Sequence, residues 1–177
     1  GGGINISGQD NLNGTSHPSR RILIRNNLIE DINGGTWGGF GRLIQIISGA
    51  EHNTIDHNTG FANGAIMATD SVQGLNVSLV FTNNIVSHGA NGVIGSGTGI
   101  GIPTLTRWWT SYIFQRNVIV GGQASNYPLG NFFISSFSEV GFVDMARGDY
   151  RLSSSSPYRN AGADGKDIGC DVTALPR

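Results

Sequence analysis

A chain of 177 residues suits one domain, and with 11 basic against 12 acidic residues its formal net charge is −1. At 13% charged residues it has no basic footprint for nucleic acid and no polybasic membrane anchor, and no apolar run approaches the roughly 18 residues that span a bilayer. The single Cys170 excludes an intrachain disulfide and a zinc–thiolate site, and says nothing of compartment.

In chain order, Ile4 and Ile6 suggest the last strand of a coil, followed by a polar, turn-rich run from Gly8 to Arg20. Ile22 to Ile32 reads as a strand pair. Asn33 to Gly41 reads as an insertion carrying Trp37 and Phe40, and Leu43 to Ile47 as strand again. A compact unit follows, with strands at Thr54–Asp56 and Ala65–Thr69 around a Gly60/Asn63/Gly64 turn. The next runs from Val77 to Ile94, and a long loop from Gly95 to Thr110 ends in Arg107-Trp108-Trp109. The last unit joins Tyr112–Phe114, Val118–Val120 and Phe132–Ile134. No 11-residue window has a helical period, so little helix is expected. With Gly at 28 positions and ample Val, Ile and Phe, the composition suits many short strands with tight turns.

These units share a pattern. Ile24-Arg25-Asn26-Asn27 returns as Ile55-Asp56-His57-Asn58, Phe81-Thr82-Asn83-Asn84 and Phe114-Gln115-Arg116-Asn117. Asn27, Asn58, Asn84 and Asn117 are spaced by 31, 26 and 33 residues, a period that indicates stacked repeats. The expected fold is all-β: a solenoid of about four to six coils, in which the four Asn form a hydrogen-bonded ladder at a bend that needs left-handed backbone. Residues 140–177 break the repeat and hold five of the twelve acids and the only lysine. They are expected to cap the last coil, with Phe142, Val143, Tyr150 and Leu152 supplying the apolar cover. Nothing ahead of Ile4 would cover the other end, so residues 1–139 are expected to continue from coils N-terminal to them.

The coil pattern resembles the right-handed parallel β-helix proteins of the pectate-lyase-like superfamily. The tail, with Phe142-Val143-Asp144, Asp149-Tyr150-Arg151-Leu152, Ser156-Pro157, Asn160-Ala161-Gly162 and Asp167-Ile168-Gly169, is similar to the closing segment of many secreted bacterial members. The resemblance implies three parallel sheets, an extracellular, periplasmic or cell-surface location, and a polysaccharide partner. It is weak for activity, since this scaffold hosts lyases, hydrolases, esterases and adhesins. The Asn-x-Asp, Asp-Asp and Gly-His-Gly segments of galacturonase-like hydrolases are missing, and the acids before the tail are scattered. Whether the chain is an enzyme (a polysaccharide lyase or glycoside hydrolase) therefore stays open, beside a purely structural or adhesive role.

If Ile24, Ile55, Phe81 and Phe114 point inward, then Arg25, Asp56, Thr82 and Gln115 point outward. Asn26, His57, Asn83 and Arg116 lie beside them at the bend. In this polar stripe Arg25 and Arg116 can hold the carboxylates of an acidic sugar chain. His57 beside Asp56 is the candidate catalytic pair. A solvated solenoid face explains the same residues. Trp37 and Trp108 are candidate sugar-stacking platforms, or lids over the core. Glu51, His52, Asp56 and His57 do not have the spacing of a metal site. Asp164, Asp167 and Asp171 do not match a calcium loop and are read as turn residues satisfying backbone donors, so no metal or cofactor is assigned. A monomer is expected.

Overall fold

The computed structural model of the protein describes residues 2–9, 17–71 and 74–175, so residues 10–16 of the polar run lie outside the described residues. The strands in chain order are β1 (Gly2–Ser7), β2 (Leu23–Arg25), β3 (Leu28–Ile32), β4 (Arg42–Ile47), β5 (Glu51–Asp56), β6 (Thr59–Ala62), β7 (Ala65–Asp70), β8 (Val77–Thr82), β9 (Ile85–Ser87), β10 (Val93–Gly95), β11 (Tyr112–Gln115), β12 (Val118–Val120) and β13 (Phe132–Ile134). Strands β1 to β12 visit three sheets in rotation and β13 adds to the third: β1-β4-β7-β10, β2-β5-β8-β11 and β3-β6-β9-β12-β13. Every pairing within these sheets is parallel. The protein is thus mostly β, with three parallel sheets of short strands and few helices, an arrangement consistent with a parallel β-helix.

The strand register aligns Ile24 with Ile55, Ile55 with Phe81, and Phe81 with Phe114. All four are buried in the core between the sheets with Leu43, Ile44, Ile46 and Met67. The rings of Phe81 and Phe114 stack at 4.9 Å, close to the strand repeat of about 4.8 Å. Tyr127 continues the pile on Phe114 at 5.7 Å, and its hydroxyl accepts the Val93 N–H at 3.2 Å. Burial pushes the Tyr127 hydroxyl far above its ordinary pKa, so it stays protonated.

At the bend after the second sheet, the Asn side chains bond to one another. Asn27 Nδ2 donates to Asn58 Oδ1 at 2.9 Å, Asn58 to Asn84 at 3.0 Å, and Asn84 to Asn117 at 3.0 Å. A fifth rung completes the row, since Asn117 Nδ2 donates to Asn131 Oδ1 at 2.9 Å. Asn131 follows Asn117 by only 14 residues, so the period of about 30 that identifies the other rungs passes over it. The residue in left-handed backbone is also different from the one expected. It is the neighbour before each rung, with φ of 54° at Asn26, 50° at His57, 58° at Asn83 and 57° at Arg116. The side chain after the kink can then turn inward along the stack. Asn and His tolerate this region better than most residues.

Among the described residues two short α-helices occur in segments read as insertion and loop, α1 (Gly34–Trp37) and α2 (Ile102–Trp108), each shorter than the window over which helical period is legible. Helix α2 sits in the long loop and buries Leu105 fully in the core beside Trp109. Tyr127 is buried in the same core.

The tail runs back along the side of the stack. Its β14 (Phe142–Asp144) and β15 (Asp149–Leu152) form an antiparallel hairpin. Phe142, Leu152, Tyr158 and Ile168 pack with Ile85, Val118, Val120, Phe132 and Ile134. Those five belong to the third sheet, whose Val86 and Ile119 face the inner core. The third sheet is therefore covered on both faces, which accounts for continuous apolar runs such as Val118-Ile119-Val120. Further back, Tyr150 packs against Phe61 at 5.1 Å and its hydroxyl donates to the Glu30 carboxylate; burial first, and then Glu30, push its pKa up to about 12. Val143 stays half exposed and adds little to this cover.

Asn84 is the rung with most at stake. Its Oδ1 accepts both the N–H and Nδ2 of Asn58, at 2.9 and 3.0 Å, and its Nδ2 also donates to the Ile55 carbonyl at 3.1 Å. Asn84→Ala leaves these groups buried and unpaired, and denaturant unfolding should show a loss of about 1–3 kcal/mol. An unchanged midpoint would show that the row does not hold the coils in register.

Candidate functional site

The polar stripe is formed by parallel pairing: Arg25 lies beside Asp56, Asp56 beside Thr82, and Thr82 beside Gln115. Its charges are spent on one another. Arg25 Nε lies 3.2 Å from Asp56 Oδ2, and His57 Nδ1 lies 2.9 Å from the same oxygen. The other oxygen of Asp56 accepts from Thr82 Oγ1 at 2.9 Å and Asn83 Nδ2 at 2.8 Å. Burial pushes the Asp56 pKa up, but the contacts to His57, Thr82 and Asn83 outweigh it, and the carboxyl is held below its ordinary range.

The bend column is covered at His57 and Asn83, which are buried. The tail crosses it, bonding Asp171 N–H to Asn26 Oδ1 at 2.6 Å, Cys170 N–H to Thr59 Oγ1 at 3.1 Å and Ala163 N–H to Asn83 Oδ1 at 2.7 Å. Asp164 approaches His57 Nε2 at 3.4 Å and Arg25 Nη2 at 4.0 Å. His57 is only 7% exposed, its ring held between two carboxylates at ion-pair distance, although neither nitrogen is on a well-aligned hydrogen-bond line. Arg116 does not join this group. It is exposed one coil beyond Asn83, with its guanidinium 6.0 Å from the Phe132 ring. The structure thus brings Arg25, Asp56 and His57 together and leaves Arg116 apart. The added member, Asp164, gave no signal in the repeat because it lies outside it.

Between the tail and the bend column runs a groove of about 710 Å³ lined by Arg25, Asn26, Arg151, Lys166 and Asp171, among others. Its cations are already engaged: Arg151 binds Asp149 through two nitrogens at 2.8 and 2.5 Å, and Lys166 lies 3.7 Å from Asp164. Two tail acids are likewise committed to local donors, Asp167 accepting the Asn160 N–H at 2.9 Å and Asp171 the Thr173 N–H at 2.9 Å. No three His, Cys, Asp or Glu side chains converge as a metal site among the described residues. The thiol of Cys170, pushed up in pKa by burial, is unpaired and not activated.

A second concavity has a different chemistry. Trp37 and Phe40 are 65% and 74% exposed and border a cleft of about 340 Å³ with Arg42, Gln45 and Asn5. The loop that presents them is fixed. Asn33 caps α1 by accepting the Gly35 and Thr36 N–H groups, and receives Asn63 Nδ2 at 2.7 Å. The indole is pinned through Nε1 to Asp31 Oδ2 at 2.7 Å. The Arg42 guanidinium lies 4.3 Å from the Phe40 ring centre and donates to Gln45 Oε1 at 2.6 Å. Trp108, by contrast, packs against the core, with Arg107 over its ring at 4.8 Å, and a Cβ on Gly95 would lie 2.5 Å from its indole. Of the two candidate platforms, only Trp37 is presented to solvent.

No family model, no curated protein and no solved structure matches the chain.

The aromatics separate cleanly by substitution. Trp109 is 3% exposed within the core, and Trp109→Ala should cost about 3–5 kcal/mol. Trp37→Ala should leave the unfolding midpoint nearly unchanged. A large loss on Trp37→Ala would mean that this ring is a structural lid.

Proposed function

We propose that the protein is part of a right-handed parallel β-helix of the pectate-lyase-like kind, acting outside the cytoplasm, whose role is to bind a polysaccharide at the Trp37–Phe40 cleft. The observation that carries this reading is the pair of large, exposed aromatic rings on a rigid loop beside hydrogen-bonding side chains. Sugar rings present apolar C–H faces and polar edges, and such a cleft offers a partner for each. Pinning of the indole by Asp31 reduces the ordering cost of binding. The larger groove supports the reading less well, because its cations already have partners.

Binding, not catalysis, is the activity proposed. Asp56 and His57 have the residue types of a general base, yet both are committed to neighbours and lie beneath the tail. A purely structural role is the second reading, supported by the same commitment.

A glycan array followed by affinity electrophoresis against neutral and acidic polymers tests the proposal. The protein should be retarded by at least one polymer. Trp37→Ala and Phe40→Ala should each weaken retardation about 2- to 10-fold, while Trp108→Phe leaves it unchanged. Absence of binding across the array, or binding indifferent to both aromatic variants, would replace this reading with the structural one. Release of unsaturated uronate, read by absorbance, would show catalysis instead.

A further inference from the structure

The tail is fastened across the bend column by a compact charged cluster drawn from both sides of the contact. The stack contributes Arg25 from β2, Asp56 from β5 and His57 from the bend, and the tail contributes Asp164 and Lys166. Arg151, Asp167 and Asp171 line the adjoining groove. With both aspartates ionised, the two carboxylates separate Arg25, His57 and Lys166. With both protonated, Arg25 and Lys166 lose the negative charge that lies between them.

We propose that this cluster is an acid-released clasp, which holds residues 160–171 over the bend column while Asp56 and Asp164 are ionised and frees them when both are protonated. Ile168 also packs this segment against the third sheet, and Asn26 Nδ2 donates to the Asp171 carbonyl at 3.4 Å; the other fastenings are four backbone donors. They are the N–H groups of Ala163, Gly169, Cys170 and Asp171, bonded to Asn83 Oδ1, Asn83 O, Thr59 Oγ1 and Asn26 Oδ1 at 2.7, 2.8, 3.1 and 2.6 Å. Three of these four bonds end on bend residues in or beside the cluster, so charge repulsion there acts on them directly. Release uncovers Asn26, His57 and Asn83 and widens the groove.

The sign follows from the direction of the carboxyl shifts. Burial raises Asp164, but the Lys166 N–H, His57 and the Lys166 charge together outweigh this, and like Asp56 it titrates below its ordinary value of 3.8. Groups depressed in the docked state stabilise docking above their free value, and that contribution is lost as pH falls through the docked values. The clasp is therefore closed at neutral pH and opens below 3.8.

Hydrogen exchange of the intact chain, expressed as protection factors across pH, is the test. On acidification the amides of Ala163, Gly169, Cys170 and Asp171 should lose protection together. Those of Ile85 and Val118, bonded to the Asn58 and Asn84 carbonyls at 2.9 and 2.8 Å, should keep theirs. Asp164→Asn, at an exposed position, should lower protection of the same four amides at neutral pH and flatten their pH dependence. The proposal is overturned if the four amides stay protected until Ile85 and Val118 also open, or if Asp164→Asn reproduces the parent's pH dependence.

Discussion

Everything in this protein depends on parallel strands repeating at one spacing along three sheets. At that spacing a residue's nearest long-range neighbour is its own equivalent in the next circuit, so side chains at matching positions meet. Two columns exploit this in opposite ways. In the interior, Phe81, Phe114 and Tyr127 form a pile of near-parallel rings. At the bend, five asparagines satisfy one another and the backbone beside them. The second column answers the central problem of a bend beneath a sheet, since buried N–H and C=O groups there must find partners without a ladder strand.

What was legible in the sequence follows from this. Repetition leaves a periodic trace, so the four long-spaced rungs, the inward column at Ile24, Ile55, Phe81 and Phe114, and the outward partners of Arg25 could all be read from pattern. Features built once leave none. Asn131 is a rung reached by a short detour, and its spacing hides it. Helix α2 is seven residues long and buries only Thr104 and Leu105. The tail's path had a signal that alternation obscured. Val118-Ile119-Val120 and Phe132-Phe133-Ile134 are apolar on both parities, so the third sheet required a cover on its outer face.

The candidate site divides on the same ground. Register placed Arg25, Asp56 and His57 together, which pattern can do. Pattern could not show that Asp164 arrives from the tail to share His57, or that His57 and Asn83 of the bend column lie under another segment. Nor could it separate Trp37 from Trp108, both aromatics in loops. Their difference lies in the anchoring of each loop: Asn33, Asn63 and Asp31 hold Trp37 outward, whereas Gly95 leaves space for Trp108 to lie down on the core.

The course of the tail also changes how the molecule assembles. Stacked repeats ordinarily touch only their neighbours, so they can grow and fray one unit at a time. Here Tyr150 reaches Glu30 across 120 residues, and Asp171 reaches Asn26 across 145. These contacts tie the earliest described circuits to the last residues, giving the chain a high contact order, and closure of so long a loop is entropically slow. During synthesis the third sheet's outer face stays bare until residues 137–171 emerge. The coils must therefore survive for that interval as an unfinished surface, and the end of the chain converts a stack of separable turns into one cooperative body.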